Sequence, residues 1–289
     1  MSQAVLGPGA LGVVIVDRDP ARAVRDRQEL QAAGIPAATT DELGVHLAIE
    51  DSMLRRERLP EAAGYWAVAL RRPILASSER DLIAVGSSPG DVQDMGPGKP
   101  VDAARRVLGG APRPRVSVFG GAWIQEEEPE YAEARRLGAR MAGAGIEVVS
   151  GGYGGVMAAV SRGAKEAGGV AVGVTIGPWT KRVRPNEWMT HEVVARDLFA
   201  RLPLMFDSDA WVAFSGGAGT LAEIALGWNL VQTRSVEPRP IVLVGDRWGR
   251  ALDALRPLLL VRDRSDFDLV RRAGSADEAA DLILDLAPG

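Results

Sequence analysis

The chain has 289 residues, 46% of them hydrophobic and 25% charged, a balance that suits a globular protein of one large or two modest domains. Its formal net charge of −4 argues against a nucleic-acid partner or a basic membrane-surface protein, and no apolar run approaches the roughly 18 residues of a membrane span. It has no cysteine, and His46 and His191 are its only histidines, which excludes disulfides and a cysteine nucleophile and leaves too few ligands for a thiolate or multi-histidine metal site.

The N-terminus lacks the charged-then-apolar pattern of a secretion signal, so a cytoplasmic enzyme is expected. Gly7-Pro8-Gly9-Ala10-Leu11-Gly12 precedes the first apolar run instead of following it, so it is not a dinucleotide fingerprint. Residues 12–16, GVVIV, read as a buried strand. A helix over 21–33 follows, ended by Gly34, and then a second strand over 35–38. Asp17 and Asp19 follow the first strand, where they can cap the next helix or serve as functional acids. Thr40-Asp41-Glu42 suits the cap of a helix running to about Ile49, with His46 a structural residue in it. Residues 55–58 are surface charge. Residues 65–70 and 82–85 suggest strands, and 87–99, rich in Gly, Pro, Ser and Asp, a loop or linker. The domain boundary is expected at 109–114. Residues 1–108 thus form a small α/β unit with no catalytic constellation.

From residue 115 the pattern becomes regular. Residues 115–120, RVSVFG, suit a strand, with Gly121-Ala122-Trp123 as a loop after it. A helix over 129–144 opens with Glu130 and Glu133 and stops at Gly145, as dipole and cap rules prefer. Residues 146–150 are a second strand. Gly151-Gly152-Tyr153-Gly154-Gly155 then leads into a helix that reaches Ala167, and residues 170–176 are a third strand. Residues 177–191 break the rhythm and read as a loop or lid. In it, Lys181, Arg182 and Arg184 could hold phosphate or be solvated, and His191 could be loop surface or a substrate contact. Residues 193–205 include a helical stretch whose apolar face is Leu198, Leu202 and Met205.

The stretch that organises the rest runs from 210 to 232. Trp211, Ala213 and Phe214 suit a buried strand, Ser215-Gly216-Gly217-Ala218-Gly219-Thr220 a turn, and Leu221, Ile224, Ala225, Trp228 and Val231 one face of a helix. Glycines let a backbone turn sharply and approach a ligand. A helix start offers free N–H groups and a positive dipole end, which together suit a phosphate. Thr220 can cap this helix or donate its hydroxyl, and Glu223 is expected in the first turn, its carboxylate directed back at the glycines. Residues 240–244 are a further strand, 248–260 and 276–286 closing helices, and 263–268 a solvated charged connector.

The alternation of strand and helix argues for an α/β fold: a Rossmann-like, doubly wound parallel sheet with helices on both faces over 113–289, plus the smaller N-terminal α/β unit. Ligands of such sheets bind beyond the carboxyl ends of the strands. Three strand ends then converge on one crevice: Gly120 and Gly121; Gly151, Gly152, Gly154 and Gly155; and the run from Ser215 to Thr220. One such run is only a tight turn; three at equivalent places point to a nucleotide or other phosphorylated small molecule.

The order GG-x-GT-x-x-E at Gly216, Gly217, Gly219, Thr220 and Glu223 resembles the PGGxGTxxE signature of the Lonely Guy (LOG) family, with Ser215 in the place of proline. SVFGGA resembles the family's first-strand segment, with Ala122 where serine is usual, and SGGYGGVMAAVSRGAKEAGG, which contains Met157, its GGGxxGLMGxVAxGA segment. The match is continuous from Arg115 to about Val244 and covers nothing before it. Known members cleave the base from nucleoside 5′-monophosphates. The resemblance implies Glu223 and Arg201 as catalytic, with Arg196 as fallback, and the three glycine-bearing segments, with Ser215, Ala218, Thr220 and Met157, as the phosphate and nucleotide site. Arg201 stands four residues before Met205, as in the family's RKxxM pattern, but Leu202 replaces the lysine. Asp209 matches an aspartate before the signature strand, and Gln232 the glutamine nine residues beyond the motif glutamate. No cofactor or metal is implied, and a homodimer or larger assembly is. The run SGGAGTLAEIALGWN also resembles a neighbouring branch that includes the molybdenum-cofactor carrier proteins, which bind a phosphorylated pterin. Hydrolase and non-catalytic carrier are therefore both open on the sequence.

Overall fold

The computed structural model describes residues 12–17, 19–46, 59–77, 82–86, 92–94, 99–108, 113–180, 182–261 and 263–286. The glycine run at 7–11, the end of the expected helix at 47–49, the charged stretch at 55–58, the boundary residues 109–112 and Lys181 lie outside the described residues. The chain divides into two compact units. The first takes residues up to Arg113 with Ile176–Pro178 and Val193–Leu204, and the second Pro114–Thr175, Trp179–Glu192 and Met205–Gly289.

In the first unit the elements are β1 (Val13–Asp17), α1 (Pro20–Ala32), β2 (Ala37–Thr39), β3 (Val45–His46), α2 (Leu59–Leu70), β4 (Ile74–Ser77), β5 (Leu82–Val85), β6 (Val92–Asp94) and α3 (Pro100–Val107). The sheet order is β2-β1-β4-β5-β6. β1 pairs in parallel with β2 and β4, whereas β5 and β6 add on antiparallel. Val13, Ile15, Leu30, Leu75, Ala84 and Val107 pack its core. Asp19 caps α1, its carboxylate accepting the Ala21 N–H at 2.9 Å. Asp17 binds the Arg22 guanidinium through both oxygens.

Three expectations fail in this unit. The helix expected over 40–49 is a turn followed by β3, because Thr39 and Glu42 bond reciprocally and close a single turn. The strand expected over 65–70 is the end of α2, a helix buried on nearly all sides, so its apolar residues lose the helical period. The loop expected over 87–99 contains β6, flanked by residues outside the described set. The strand β4 and the helix α3 were not anticipated.

The chain continues through β7 (Arg115–Phe119), α4 (Pro129–Gly143), β8 (Glu147–Ser150), α5 (Val156–Glu166), β9 (Ala171–Ile176), α6 (Gly177–Thr180), β10 (His191–Ala195), α7 (Leu198–Phe206), β11 (Ala210–Ala213), α8 (Ala218–Gln232), β12 (Ile241–Val244), α9 (Arg247–Leu255), a 3-10 turn (Arg264–Leu269), β13 (Val270–Ala273) and α10 (Ala276–Leu286). In the first unit the end of β10 pairs antiparallel with β3.

In the second unit the strand order is β13-β12-β11-β7-β8-β9, and every pair is parallel. This is the doubly wound, Rossmann-like arrangement: the chain builds outward from β7, then returns to β7's other side with β11. Alternation along β11 divides the layers. Val212 and Phe214 join Leu137, Met141, Val160, Ala164 and Ile283 of α4, α5 and α10 in one core. Trp211 points the other way, edge-on to Phe206 at 4.9 Å and against Gly227 of α8. The connector expected to be solvated at 263–268 is mostly the 3-10 turn, which buries Phe267 against Trp228 at 5.0 Å between ring centroids. The Trp228 indole N–H donates to the Asp266 carbonyl at 2.8 Å, and Gln232 to its carboxylate at 2.7 Å. The strand β13 was not anticipated.

Candidate functional site

The order reverses between β7 and β11, and their carboxyl ends carry two of the glycine turns. The Gly121 N–H donates to the Ser215 carbonyl at 2.8 Å, and the Phe214 N–H to the Phe119 carbonyl at 2.9 Å. The third turn, after β8, closes on the first. The Val156 N–H donates to the Gly121 carbonyl at 3.0 Å, and a Cβ at Gly155, where φ is +62°, would fall 2.1 Å from that carbonyl. Gly120, Gly121, Gly151, Gly152, Gly154, Gly155 and the residues from Ser215 to Thr220 are therefore gathered at one end of the sheet. Met157 lies buried in the first turn of α5 just behind them.

At the signature turn the helix α8 begins at Ala218 with Gly217 as its N-cap, so two expectations change. Thr220 does not cap the helix; it is buried in the first turn, and a Cβ at Gly216 would meet its hydroxyl at 2.2 Å. Glu223 sits a turn further along than expected, because the helix starts at the glycines instead of after them. Gly216, Gly217, Ala218 and Gly219 are exposed. Among the described residues, nothing accepts a hydrogen bond from the N–H groups of residues 216–220. These donors and the positive end of α8 face the same opening.

One acceptor does enter the turn. Glu130, in the first turn of α4, accepts the Ser215 N–H at 2.6 Å. The LOG signature has proline here, which has no N–H to satisfy. Ser215 adds a donor, and Glu130 meets it. Sequence reasoning took Glu130 for a dipole-matching residue only; the signal for its second role was the serine in a proline position.

The loop or lid expected over 177–191 instead opens with α6 and ends where β10 begins at His191; between them, residues 182–190 pack on the second glycine turn. Asn186 donates its backbone N–H to the Gly152 carbonyl at 2.9 Å and its side-chain amide to the Tyr153 carbonyl at 3.0 Å. Trp179 lies 6.2 Å from Tyr153, and the Arg162 guanidinium sits 4.6 Å over Trp188. Arg182 and Arg184 are exposed. His191 is neither loop surface nor a neighbour of the glycine turns. It opens β10 beside Thr190, whose N–H donates to the carbonyl of Ala171, the first residue of β9, at the opposite end of the strands. Burial, helped by the Arg115 guanidinium, pushes His191 down to about 4.

Arg201 belongs to the first unit, on α7. It is 7% exposed, so it is not the surface charge that an apolar helix face beside it allowed. Arg196, also in the first unit, pairs with Asp197 at 3.1 Å. Asp209 accepts the Arg115 N–H at 2.8 Å, a structural role at the start of β7.

Comparison with known proteins adds the following. The SLOG cluster4 family model matches residues 113–236. An uncharacterized protein of Archaeoglobus fulgidus is 32% identical over 135 residues, 46% of this chain and 85% of that protein. The cytokinin riboside 5′-monophosphate phosphoribohydrolase of Mycobacterium tuberculosis is 34% identical over 137 residues, 45% of this chain and 72% of that enzyme. The molybdenum cofactor binding protein of Rippkaea orientalis aligns with a TM-score of 0.48 at 26% identity, covering 60% of this chain and 97% of that structure.

Proposed function

The chain belongs to the LOG-like family, through the SLOG cluster4 segment at residues 113–236, and from that premise we propose that it is a nucleoside 5′-monophosphate phosphoribohydrolase. The observation that carries the reading is the row of open N–H donors at the exposed residues 216–219, set at the start of α8 where the strand order reverses. Such donors hold a 5′-phosphate and so fix the ribose beyond it. In this chain Glu223 follows that turn, on α8.

The reaction breaks the bond between ribose C1′ and the base nitrogen. The electrons of that bond leave with the base, which takes up a proton, and C1′ becomes cationic. A carboxylate beside that carbon stabilises the cation and orients or deprotonates the incoming water, as carboxylates of glycosidases do. We assign this role to Glu223. Arg201 enters the proposal on its match to the LOG arginine alone, as a charged donor to the phosphate or to the departing base. The products are free base and ribose 5-phosphate. An AMP-like or cytokinin riboside monophosphate is the proposed substrate, and the resemblance implies a homodimer or larger assembly; the proposed location is the cytoplasm.

A second reading is a binding protein that holds a phosphorylated ligand without cleaving it. Leu202, in the place of the LOG lysine, favours it. Release of base from AMP, GMP, CMP, UMP and isopentenyl-AMP, followed by chromatography, separates the two. The hydrolase reading expects release that falls at least a hundredfold in Glu223→Gln. No release from any nucleotide, with ribose 5-phosphate still bound in calorimetry, leaves the binding protein.

A further inference from the structure

Trp123 stands out among the seven tryptophans: 85% of its surface is exposed, the largest fraction of any of them. Its backbone is nevertheless held on both sides. Two residues earlier, Gly121 donates to the Ser215 carbonyl at 2.8 Å and accepts from the Val156 N–H at 3.0 Å. The Trp123 carbonyl accepts from the Gln125 side-chain amide at 2.7 Å, and the Gln125 N–H donates to Glu128 at 2.8 Å. Glu126 is tied to Arg162 at 2.9 Å. The loop is built, yet its indole has been left bare, an unusual state for so large an apolar ring.

The position of the loop suggests what the ring is for. It follows the strand at which the order reverses, and Gly121 touches the signature turn: a Cβ there would lie 3.4 Å from the Gly216 Cα. The Cα atoms of residues 121 and 123 are at most about 7.6 Å apart. The Trp123 Cα therefore lies at most about 12.5 Å from that of Gly216, within the span of a nucleoside monophosphate. A ligand that places a phosphate on the N–H donors of residues 216–220 extends its far end into this neighbourhood. Trp179, the other exposed tryptophan near the turns, already rests on Tyr153, and Leu221 offers no flat ring face.

We propose that Trp123 is the platform on which the site receives a flat aromatic heterocycle, stacking the base of a nucleoside 5′-monophosphate whose phosphate lies on the signature turn. The inference rests on the phosphate reading of that turn given above. It adds a specificity element: ligands with a base are separated from those with a bare sugar phosphate. Stacking tolerates any base, so the platform favours purines over pyrimidines only by their larger ring area.

The test compares AMP with ribose 5-phosphate by calorimetry in a Glu223→Gln background, which keeps AMP intact. Trp123→Ala is expected to raise the Kd of AMP about tenfold and to leave that of ribose 5-phosphate unchanged, whereas Trp123→Phe retains most of the AMP affinity. AMP quenches the fluorescence of the parent protein, and in Trp123→Phe that quenching falls while binding persists. An unchanged Kd for AMP in Trp123→Ala overturns the platform and leaves the phosphate reading standing. So does a dimer that becomes a monomer in Trp123→Ala at unchanged AMP affinity, since the ring then serves a second copy. A parent protein that binds neither AMP nor ribose 5-phosphate overturns the phosphate reading and the platform with it.

Discussion

Ser215 brings a backbone N–H into a turn whose following amides, at residues 216–220, have no acceptor among the described residues, and Glu130 takes up the Ser215 donor. Glu130→Ala leaves the N–H unsatisfied and is expected to cost about 1–3 kcal/mol of stability. Glu130→Gln, which keeps an oxygen acceptor, is expected to lose less; denaturant melts of both variants check the order. Arg115 and Glu147 make a buried pair, 2.6 Å apart with side chains 3% and 5% exposed. Glu147→Ala removes the carboxylate paired with this buried guanidinium and is expected to cost about 3–5 kcal/mol in the same assay. His191 responds to pH with the opposite sign to a salt-bridged histidine. Its folded value of about 4 lies below the ordinary 6.5, so the unfolded chain binds the extra proton between those values. The stability it contributes is complete above pH 6.5 and is lost as the pH falls towards 4, by at most about 3 kcal/mol. Melts at pH 7 and pH 5 should differ, and His191→Gln should narrow the difference.

Between elements, α4 packs closely against α5, and glycine makes it possible. A Cβ at Gly163 would fall 1.8 Å from the Arg135 carbonyl oxygen, and one at Gly138 would fall 2.1 Å from that of Val160. Helix propensity alone favours Gly163→Ala by about 1 kcal/mol. The contact decides otherwise: the helices must separate, at a cost of about 1–3 kcal/mol or more, and their shared core with the sheet loosens. Gly163→Ala is therefore expected to lower the melting temperature, and a rise would mean that the two helices do not pack this closely. The start of α8 shows how a one-turn shift matters. The strand, turn and helix were legible from alternating apolar residues, the glycine cluster and the 3.6-residue period that followed. The helix start was not, because Ala218, Gly219 and Thr220 read as turn residues while their backbones are already helical. Glu223 moved one turn inward as a consequence.

At the scale of the whole molecule, the chain leaves the second unit twice, at Ile176–Pro178 and at Val193–Leu204, and Arg201 travels with the second excursion. We propose that the first unit serves to hold that excursion. Deletion of residues 1–112 removes the partners of the end of β10, which pairs with β3, while the hydrogen bonds described above for the glycine turns lie within the second unit. Such a truncated chain is expected to lose base release while still binding ribose 5-phosphate. Retained activity would show that α7 needs nothing from the first unit. In the full chain, ribose 5-phosphate at a hundred times its Kd is expected to stabilise the fold by about 2.7 kcal/mol, seen as a rise in melting temperature.

The amino-acid sequence by itself determined the class of the second unit and the places of its glycine turns. Parallel strands buried on both faces are written as short apolar runs, helices as a periodic face, and strand ends that turn sharply as glycines; each of these signals is local. The first unit was less legible for the same reason. The helix α2 is buried on nearly all sides and carries no amphipathic period, and the Thr39–Glu42 turn uses the same residues that would start a helix. Only the tertiary structure decided which turns meet. The bond from Gly121 to Ser215, the acceptor that Glu130 brings to Ser215, the burial of Arg201 and the bare ring of Trp123 all join or separate residues far apart in the chain. Such contacts follow from how the strands are ordered in the sheet, and no spacing along the sequence records that order.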